Sequence, residues 1–412
     1  MTSHNAQHIF IEGENLVVLK LLYKQYFGRV KLIYIDPPYN TGNDFIYHDN
    51  FTDPLDSYLR LTGQKNGNGD YLTSRPEKNG RLHSAWLSMM YPRLTLARQF
   101  LRQDGFIVIS IDDAELHDLR LMMNDVFGEE NFIAVLVWDR NRKNDAKLFS
   151  VGHEYMVVYA KNKQMLRDTN VVLRAPKEGI EDVRQEFERL REEYNNDWAS
   201  ISQKLREFFK KMEEDDPRKP LGRFTKVDER GPYRDDGDIS WPGGGGPTYD
   251  VVHPVTGKPC RVPRRGWVFS TKERMEKEIE QGNVTFGPDE NSIPSLKSYL
   301  FERTLQVMRS VQFSYAQKAT QDFDKIFDEV HVFDNPKNYN DLQSLIDYLT
   351  DENDIVFDFF AGSASTGHGV LFSNKVNKTS RRFICVQFPE SVNPKTNTGK
   401  NALNIGPDSS DT

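Results

Sequence analysis

The chain reads as an α/β protein built on a largely parallel sheet, and three observations predict that class. Apolar runs suited to buried strands alternate with stretches of helical periodicity. The runs at Val30–Ile35, Phe106–Ile111 and Ile355–Phe357 are almost uninterrupted, as expected of strands covered by helices on both faces. Two of them pass directly into unusual loops, one beginning at Asp36 and the other at Asp358.

The elements follow in order. His8–Ile11 reads as a strand, Glu14–Tyr26 as a helix, and Val30–Ile35 as a strand ending at Asp36. Phe45–Gly80 is polar, carries Gly63, Gly67 and Gly69, and reads as a long loop with helical pieces. Arg81–Arg102 is predicted helical because Leu82, Trp86, Met89, Met90, Leu94 and Ala97 fall on one face. Asp104-Gly105 is expected to end that helix before the Phe106–Ile111 strand. Phe132–Trp138 and Glu154–Ala160 read as further strands, linked by the basic segment Arg140–Lys147.

From Ile180 the period changes. Ile180, Val183, Phe187, Leu190, Tyr194, Trp198, Ile201, Leu205, Phe208 and Met212 step by three or four. One continuous helix would be roughly 50 Å long at ~1.5 Å per residue, or Asn195-Asn196 would split it into a hairpin. An amphipathic insertion packed on its own domain is favoured over a protruding arm for dimerisation or DNA. Residues 217–300 are turn-rich, with the Gly243–Gly246 run and frequent prolines. Basic residues Lys226, Arg230, Arg234, Lys258, Arg261, Arg264 and Arg265 are interleaved there with Tyr233, Trp241, Tyr249 and Trp267. That mixture suits phosphate and base contacts, with a solvated charged surface as the plain alternative. The α/β pattern resumes with a helix at Asp341–Leu349, the Ile355–Phe357 strand, a small-residue loop entering a helix, and a strand at Phe383–Phe388. After Pro389 the chain is polar and reads as a disordered tail.

Composition sets limits on function. A chain of 412 residues is long enough for two or three domains. It has no run of 18 apolar residues and no apolar leader, so a soluble, cytoplasmic protein without a membrane span is expected. The two cysteines, Cys260 and Cys385, form neither a disulfide framework nor a metal pattern. With a net charge of −7, any binding to nucleic acid must rely on local basic patches.

Two motifs carry chemistry. Asp36-Pro37-Pro38-Tyr39 follows a buried strand, and the prolines block its extension. A carboxylate and a carbonyl preceding a proline can accept hydrogen bonds from a planar exocyclic amine, and a tyrosine ring can stack on a base. This is what methyl transfer to a nucleobase amine requires; a rigid turn is the plain alternative. Asp358-Phe-Phe-Ala-Gly-Ser-Ala-Ser-Thr366 also follows a strand, and its small residues would let a ligand approach the backbone at a helix N-terminus. Alone this second motif is weak. Together the two would face one crevice at the carboxyl ends of adjacent strands.

The pair, in this order, resembles the β-class amino-methyltransferases of DNA, and most closely the modification (Mod) subunits of type III restriction–modification systems. Supporting stretches are Gly13-Glu-Asn-Leu16, Gly80–Ser84, Met89–Leu94, Val108–Glu115, His153-Glu-Tyr155, Phe333–Lys337 and Arg381-Arg-Phe383 with Pro389-Glu390. The resemblance implies a Rossmann-like methyltransferase fold, circularly permuted so that the catalytic loop precedes the cofactor loop. It implies S-adenosylmethionine as cofactor and N6 of a flipped adenine in duplex DNA as acceptor, with cytosine N4 as the alternative. No metal is required, because the sulfonium already makes the methyl electrophilic. Asp36, Pro37, Pro38 and Tyr39 are then the catalytic residues.

For the cofactor, the resemblance points to Asp358, Phe360, Ala361, Gly362 and Ser363, to Lys337 at its carboxylate, to Glu14 and Asn15 near its adenosine, and to Gln387 at its ribose. Lys226, Arg234, Lys258, Arg261, Arg264 and Arg265 are the expected DNA-binding residues. The implied partners are duplex DNA, a restriction helicase–endonuclease subunit, and a second copy of the chain in a homodimer. Ala364, Asn338 and Gln387 depart from the family pattern, which has glycine, proline and an acidic residue there. Family members continue into a basic helix and a C-terminal region, so an end at Thr412 reads as a shortened chain. A DNA-recognition or assembly subunit without catalysis is the alternative from another class, and an RNA methyltransferase a weaker one. The expected layout is a catalytic half at 1–170, a helical insertion at 171–216, target recognition at 217–320, a cofactor half at 321–390, and the tail at 391–412.

Overall fold

Residues alternate between the two faces of the central sheet, and that parity sets the layers around it. The structure, a computed structural model, describes residues 8–40, 79–140, 147–177, 179–213, 216, 218–302, 304–314, 316–389 and 392–405. These form two compact units, one within Met1–Leu173 and Met308–Thr412 and the other within Arg174–Val307. The expected loop over Phe45–Gly80 falls almost wholly outside the described residues, as do residues 141–146 of the basic linker.

The first unit begins with β1 (Ile9–Glu12), α1 (Asn15–Tyr26), β2 (Val30–Ile35), α2 (Asn79–Phe100), β3 (Leu101–Ile111), α3 (Leu116–Phe127), β4 (Phe132–Asp139), β5 (His153–Ala160) and α4 (Lys163–Asp168). The second unit holds β6 (Ala175–Pro176), α5 (Ile180–Glu193), α6 (Trp198–Lys210), β7 (Lys226–Asp228), β8 (Gly231–Gly237), α7 (Lys272–Glu280), β9 (Val284–Thr285), β10 (Ser295–Tyr299) and β11 (Leu305–Gln306). The first unit then resumes with β12 (Val311–Phe313), α8 (Ala316–Asp324), α9 (Tyr339–Leu349), β13 (Ile355–Asp358), α10 (Ser365–Asn377), β14 (Arg382–Gln387) and α11 (Asn397–Ile405).

In the first unit the strand order is β1-β14-β13-β2-β3-β5-β4-β12. The run from β1 to β3 is parallel throughout, β5 is antiparallel to both its neighbours, and β12 is parallel to β4. Ile33 and Ile35 of β2, Ile107 and Ile109 of β3 and Phe357 of β13 enter one apolar cluster, with Trp86, Met89, Met90, Leu94 and Phe100 of α2 and Leu119 and Met123 of α3. Leu32, Tyr34, Phe106, Val108 and Val356 enter the other, with Leu342, Leu345, Ile346 and Leu349 of α9 and Val370 of α10. Helices therefore cover both faces, as the unbroken apolar strands require. The parallel arrangement brings the carboxyl ends of β1, β14, β13, β2 and β3 to one edge of the sheet.

In the second unit α5 and α6 pack Val183, Phe187 and Leu190 against Ile201, Leu205 and Phe209. The long periodic stretch is thus a hairpin. Asn195 and Asn196 break it by adopting φ of 48° and 62°, a left-handed conformation that asparagine tolerates. Beyond it lies an antiparallel sheet of order β7-β8-β10-β9.

Two expectations are corrected and two short elements are added. Asp104 and Gly105 do not end the helix, which stops at Phe100; both lie inside β3. The β2–β3 register shifts between Val30 and Leu32, and a side chain on Gly105 would meet the carbonyls of Arg102 at 3.0 Å and Val30 at 3.1 Å. The Asp-Gly pair marks a bulge with close backbone approach, which looks like a helix stop from sequence alone. The polar tail carries α11, docked by Asn401 Nδ2 on the His331 carbonyl at 2.9 Å and by Thr398 Oγ1 on Asp334 at 2.9 Å. Short elements β12 and α8 were not anticipated, their apolar content being too small to show a period.

Candidate active site

Strand β2 ends in the loop Asp36–Asn40. Its shape is fixed from behind. The indole Nε1 of fully buried Trp86 donates to the Pro38 carbonyl at 2.7 Å. Asn40 takes a left-handed φ of 59° and donates through Nδ2 to Glu115 at 2.5 Å, and His83 Nδ1 approaches the same Glu115 oxygen at 2.6 Å. The Asp36 carboxyl oxygen Oδ1 is fully buried, while the side chain as a whole stays 28% exposed. The open part of the side chain therefore lies on its other side.

Behind Asp36 sits a buried ion cluster. Lys337 Nζ lies 2.5 Å from the Tyr39 hydroxyl, 2.7 Å from Glu154 Oε2 and 3.2 Å from Asp36 Oδ1. The last contact is an ion pair set off the hydrogen-bond direction. Tyr39 also donates to Glu154 at 3.0 Å. Arg140 grips Glu154 Oε1 through Nε at 2.7 Å and extends to Asp341 and to Ser314. Burial alone would raise the Glu154 pKa, but Lys337 and Arg140 outweigh it and hold the group at about 2. Burial pushes Asp36 above the usual carboxylate range against the pull of Lys337. Lys337 is pushed down by burial, yet Asp36 and Glu154 raise it overall. The Lys337 ammonium is 4.9 Å from the Tyr39 ring centre but 2.5 Å from its hydroxyl, so it sits at the ring's hydroxyl edge, not over its face.

The second loop leaves β13, the neighbour of β2. Asp358 is buried and accepts from the Phe360 N–H at 2.9 Å and from Thr366 Oγ1 at 2.5 Å. Burial raises it to about 7, with those two bonds acting in the opposite sense. Ala361 N–H bonds the Val386 carbonyl at 3.1 Å, and Gly362 N–H bonds Gln387 Oε1 at 2.7 Å. Gly362 and Ala364 adopt φ of 53° and 60°. The second value explains why glycine suits position 364, since a left-handed alanine is strained. Gly362 is exposed, and a side chain there would meet among its neighbours only Phe333, at 3.7 Å. The backbone of this turn is thus open at the sheet edge, flanked by Phe360, Ser363 and Gln387.

Glu14 and Asn15 lie at the end of β1, next to β14. Both are engaged in structure. Glu14 caps α1 by accepting from Leu16 and Val17 N–H at 2.9 and 2.8 Å. Arg93, fully buried on α2, donates to Glu14 and to Asn15 Oδ1, each at 2.6 Å, and Asn15 Nδ2 donates to the Phe359 carbonyl at 3.0 Å.

The basic candidates all fall in the second unit. Lys226, Arg234, Lys258 and Arg265 pair with Asp235, Asp236, Glu290 and Asp238. Arg261 and Arg264 are exposed and carry no side-chain ion pair among the described residues. Two of the interleaved aromatics, Trp267 and Tyr249, are held in structure. Trp267 is fully buried, donating to the Tyr249 carbonyl at 2.7 Å, and the Tyr249 hydroxyl bonds the Phe269 carbonyl at 2.9 Å. They form the small core of this region with Ile239, Cys260 and Met275, so Trp267 has no ring face to offer a base.

Sequence reasoning gave no site role to Glu154, Arg140, Arg93 or Trp86. A signal existed for two of them. Arg93 interrupts the apolar face of α2, and Glu154 heads an otherwise apolar strand; a charge in such a place must find a partner.

The DNA methylase family matches residues 30–390, and the chain belongs to it. Its relatives carry a finer description. It is 36% identical to the type III restriction–modification enzyme EcoP15I Mod subunit of Escherichia coli, over 97% of this chain and 61% of that one. It is 33% identical to the StyLTI Mod subunit of Salmonella typhimurium, over 97% of this chain and 55% of that one. It is 31% identical to the EcoPI Mod subunit of Escherichia phage P1, over 98% and 60%. The chain thus spans little more than half the length of these relatives. No helix among the described residues is long and apolar enough to cross a membrane.

Proposed function

We propose that the chain is a sequence-specific DNA methyltransferase that moves a methyl group from S-adenosylmethionine to N6 of adenine in duplex DNA, as the modification subunit of a type III restriction–modification system. The observation that carries the reading is the juxtaposition of the Asp36–Tyr39 loop, at the end of β2, with the Asp358–Ala364 turn, at the end of neighbouring β13. The likeness to three Mod subunits over nearly the whole chain supports the type III assignment. The order of the two loops along the chain supports the permuted arrangement.

The turn fits the cofactor. Its exposed glycine, small flanking residues and adjacent Gln387 offer backbone and amide groups to a polar ligand at the carboxyl edge of the sheet. Phe360, Ala361, Gly362 and Ser363 would hold the methionine part, with Asp358 fixing the turn beneath, and Gln387 would meet the ribose. When bound, S-adenosylmethionine supplies a methyl group already activated by its sulfonium.

The chain's own residues do the rest by positioning and charge stabilisation. Tyr39 takes the flipped base on its ring. The open side of the Asp36 carboxylate and the Pro37 carbonyl accept the two N6 hydrogens, drawing the nitrogen towards tetrahedral geometry and freeing its lone pair. Transfer of the cofactor's methyl group would leave the carbon–sulfur electron pair on sulfur and place positive charge on N6. Asp36 stabilises the positive charge that grows on N6. It then takes the proton, which has become acidic only through methylation, and passes it to water.

Unmodified duplex DNA incubated with tritiated cofactor, then digested to nucleosides, tests the reading. Label in N6-methyladenine supports it. Label in N4-methylcytosine replaces the acceptor, and absence of label from every duplex tried defeats the assignment. The same assay with a restriction subunit added, and sizing of the chain in solution, test the restriction-subunit partner and the homodimer.

A further inference from the structure

Lys337 donates to Tyr39 and to Glu154 and makes an ion pair with Asp36 Oδ1 at 3.2 Å, so its charge is directed inward. Glu154 is in turn clamped by Arg140, which reaches Asp341 on α9. The cluster joins the end of β2, the start of β5, the end of β4 and the N-terminal turn of α9. It contains three carboxylates and two cations, an excess of one negative charge beside the open face of Asp36. Among the described residues the charged or titratable groups around Asp36 are Lys337 and Glu154, Tyr34 and Tyr39 from its own strand and loop, and Asp358 from β13, with Arg140 behind Glu154.

We propose that Lys337, held in place by Glu154, is a positioning residue for methyl transfer, fixing the inner oxygen of Asp36 and the Tyr39 hydroxyl so that the outer carboxylate oxygen meets the amine and the Tyr39 ring face meets the base. This rests on the reading of the chain as an amino-methyltransferase. Glu154 keeps the lysine from closing fully on Asp36. Without that second carboxylate, Lys337 would neutralise Asp36 and remove the excess charge that stabilises positive N6. Without Lys337, Asp36 and Glu154 would face each other unshielded, and Asp36 would hold its proton to higher pH.

The test uses the full chain, unmodified genomic DNA and tritiated cofactor, with Lys337→Met, Lys337→Arg and Glu154→Gln, each checked by thermal melting. For Lys337→Met, kcat at pH 7 falls roughly 10- to 100-fold, KM for DNA changes less than about twofold, and much of the loss returns as pH is raised. Lys337→Arg restores the acid limb of the profile. Glu154→Gln lowers kcat without that recovery. A loss confined to KM, or one from Lys337→Met that does not vary with pH, overturns the proposal. A second readout needs no turnover: the ¹³C carboxyl titration of Asp36, assigned with Asp36→Asn. It moves to higher pH in Lys337→Met; an unmoved titration overturns the proposal. Absence of methyl transfer by the unaltered chain with a moved titration defeats the functional reading instead, leaving the Lys337–Asp36 coupling intact.

Discussion

Tyr39 and Lys337 stand 298 residues apart in the chain, and the lysine ammonium lies 2.5 Å from the tyrosine hydroxyl. The contact ties the loop after β2 to the segment before α9. It also means that the tyrosine ring is held from its hydroxyl edge.

Asp36→Ala is expected to reduce methyl transfer by about 10²-fold or more, since it removes the group proposed to stabilise the developing charge. Cofactor binding, measured by calorimetry, should stay within a few-fold of the parent. A variant that transfers methyl at the parental rate would exclude Asp36 from the reaction.

Arg93→Met should destabilise the first unit by ~2–4 kcal/mol, because it leaves buried Asn15 and the Glu14 cap without their shared partner. The buried arginine holds β1, α1 and α2 together through hydrogen bonds at 2.6 Å. Chemical unfolding would show the effect as a lower midpoint. A midpoint equal to the parent's would mean that the pairing adds nothing over an apolar side chain of similar length.

Asp358 gives a dependence of stability on pH with a definite sign. Its pKa is raised from 3.8 to about 7 by burial. Between those values the folded chain keeps a proton that the unfolded chain has released, so stability is highest below pH 4 in this respect and falls as pH rises towards 7. Asp358→Asn removes that contribution and should gain on the parent between pH 5 and 8, by up to ~3 kcal/mol at ~1.4 kcal/mol per unit. Thermal melts at both pH values measure the difference, and equal pH dependence in the two proteins would refute it.

Ala364→Gly should stabilise the turn. A left-handed alanine costs ~1–2 kcal/mol, and the extra freedom of unfolded glycine returns about half of that. The net is a rise of a degree or two in Tm, with cofactor affinity unchanged or improved. A fall in Tm would show that the methyl group packs usefully despite its φ of 60°.

Arg261 and Arg264 are expected to matter more for DNA than Lys226, Arg234, Lys258 or Arg265, whose charges are already paired. Alanine at either position should weaken duplex binding uniformly across sequences and lower the salt slope by about one. Titrations at several salt concentrations measure this; an unchanged slope would remove them from the phosphate contacts.

What the sequence alone determined was local. Apolar runs marked the buried strands, prolines after Ile35 marked a strand that cannot continue, and small residues after Asp358 marked an open turn. Each of these is a property of a few neighbouring residues and their backbone, so it is readable without the fold. What only the tertiary structure decided depended on groups distant in sequence. Glu154 and Lys337 are 183 residues apart, and neither shows its role until the sheet brings β5 beside β3 and the approach to α9 behind β2. The bulge at Gly105 and the burial of Trp267 were settled in the same way, and the fold chose between the two readings that the sequence left open at Asn195-Asn196. A backbone carbonyl and a core environment select residues by their three-dimensional surroundings, which the linear pattern does not carry. For Asp36 both were needed: the sequence named the carboxylate, and the fold supplied the burial that raises its pKa and the Lys337 charge that opposes it.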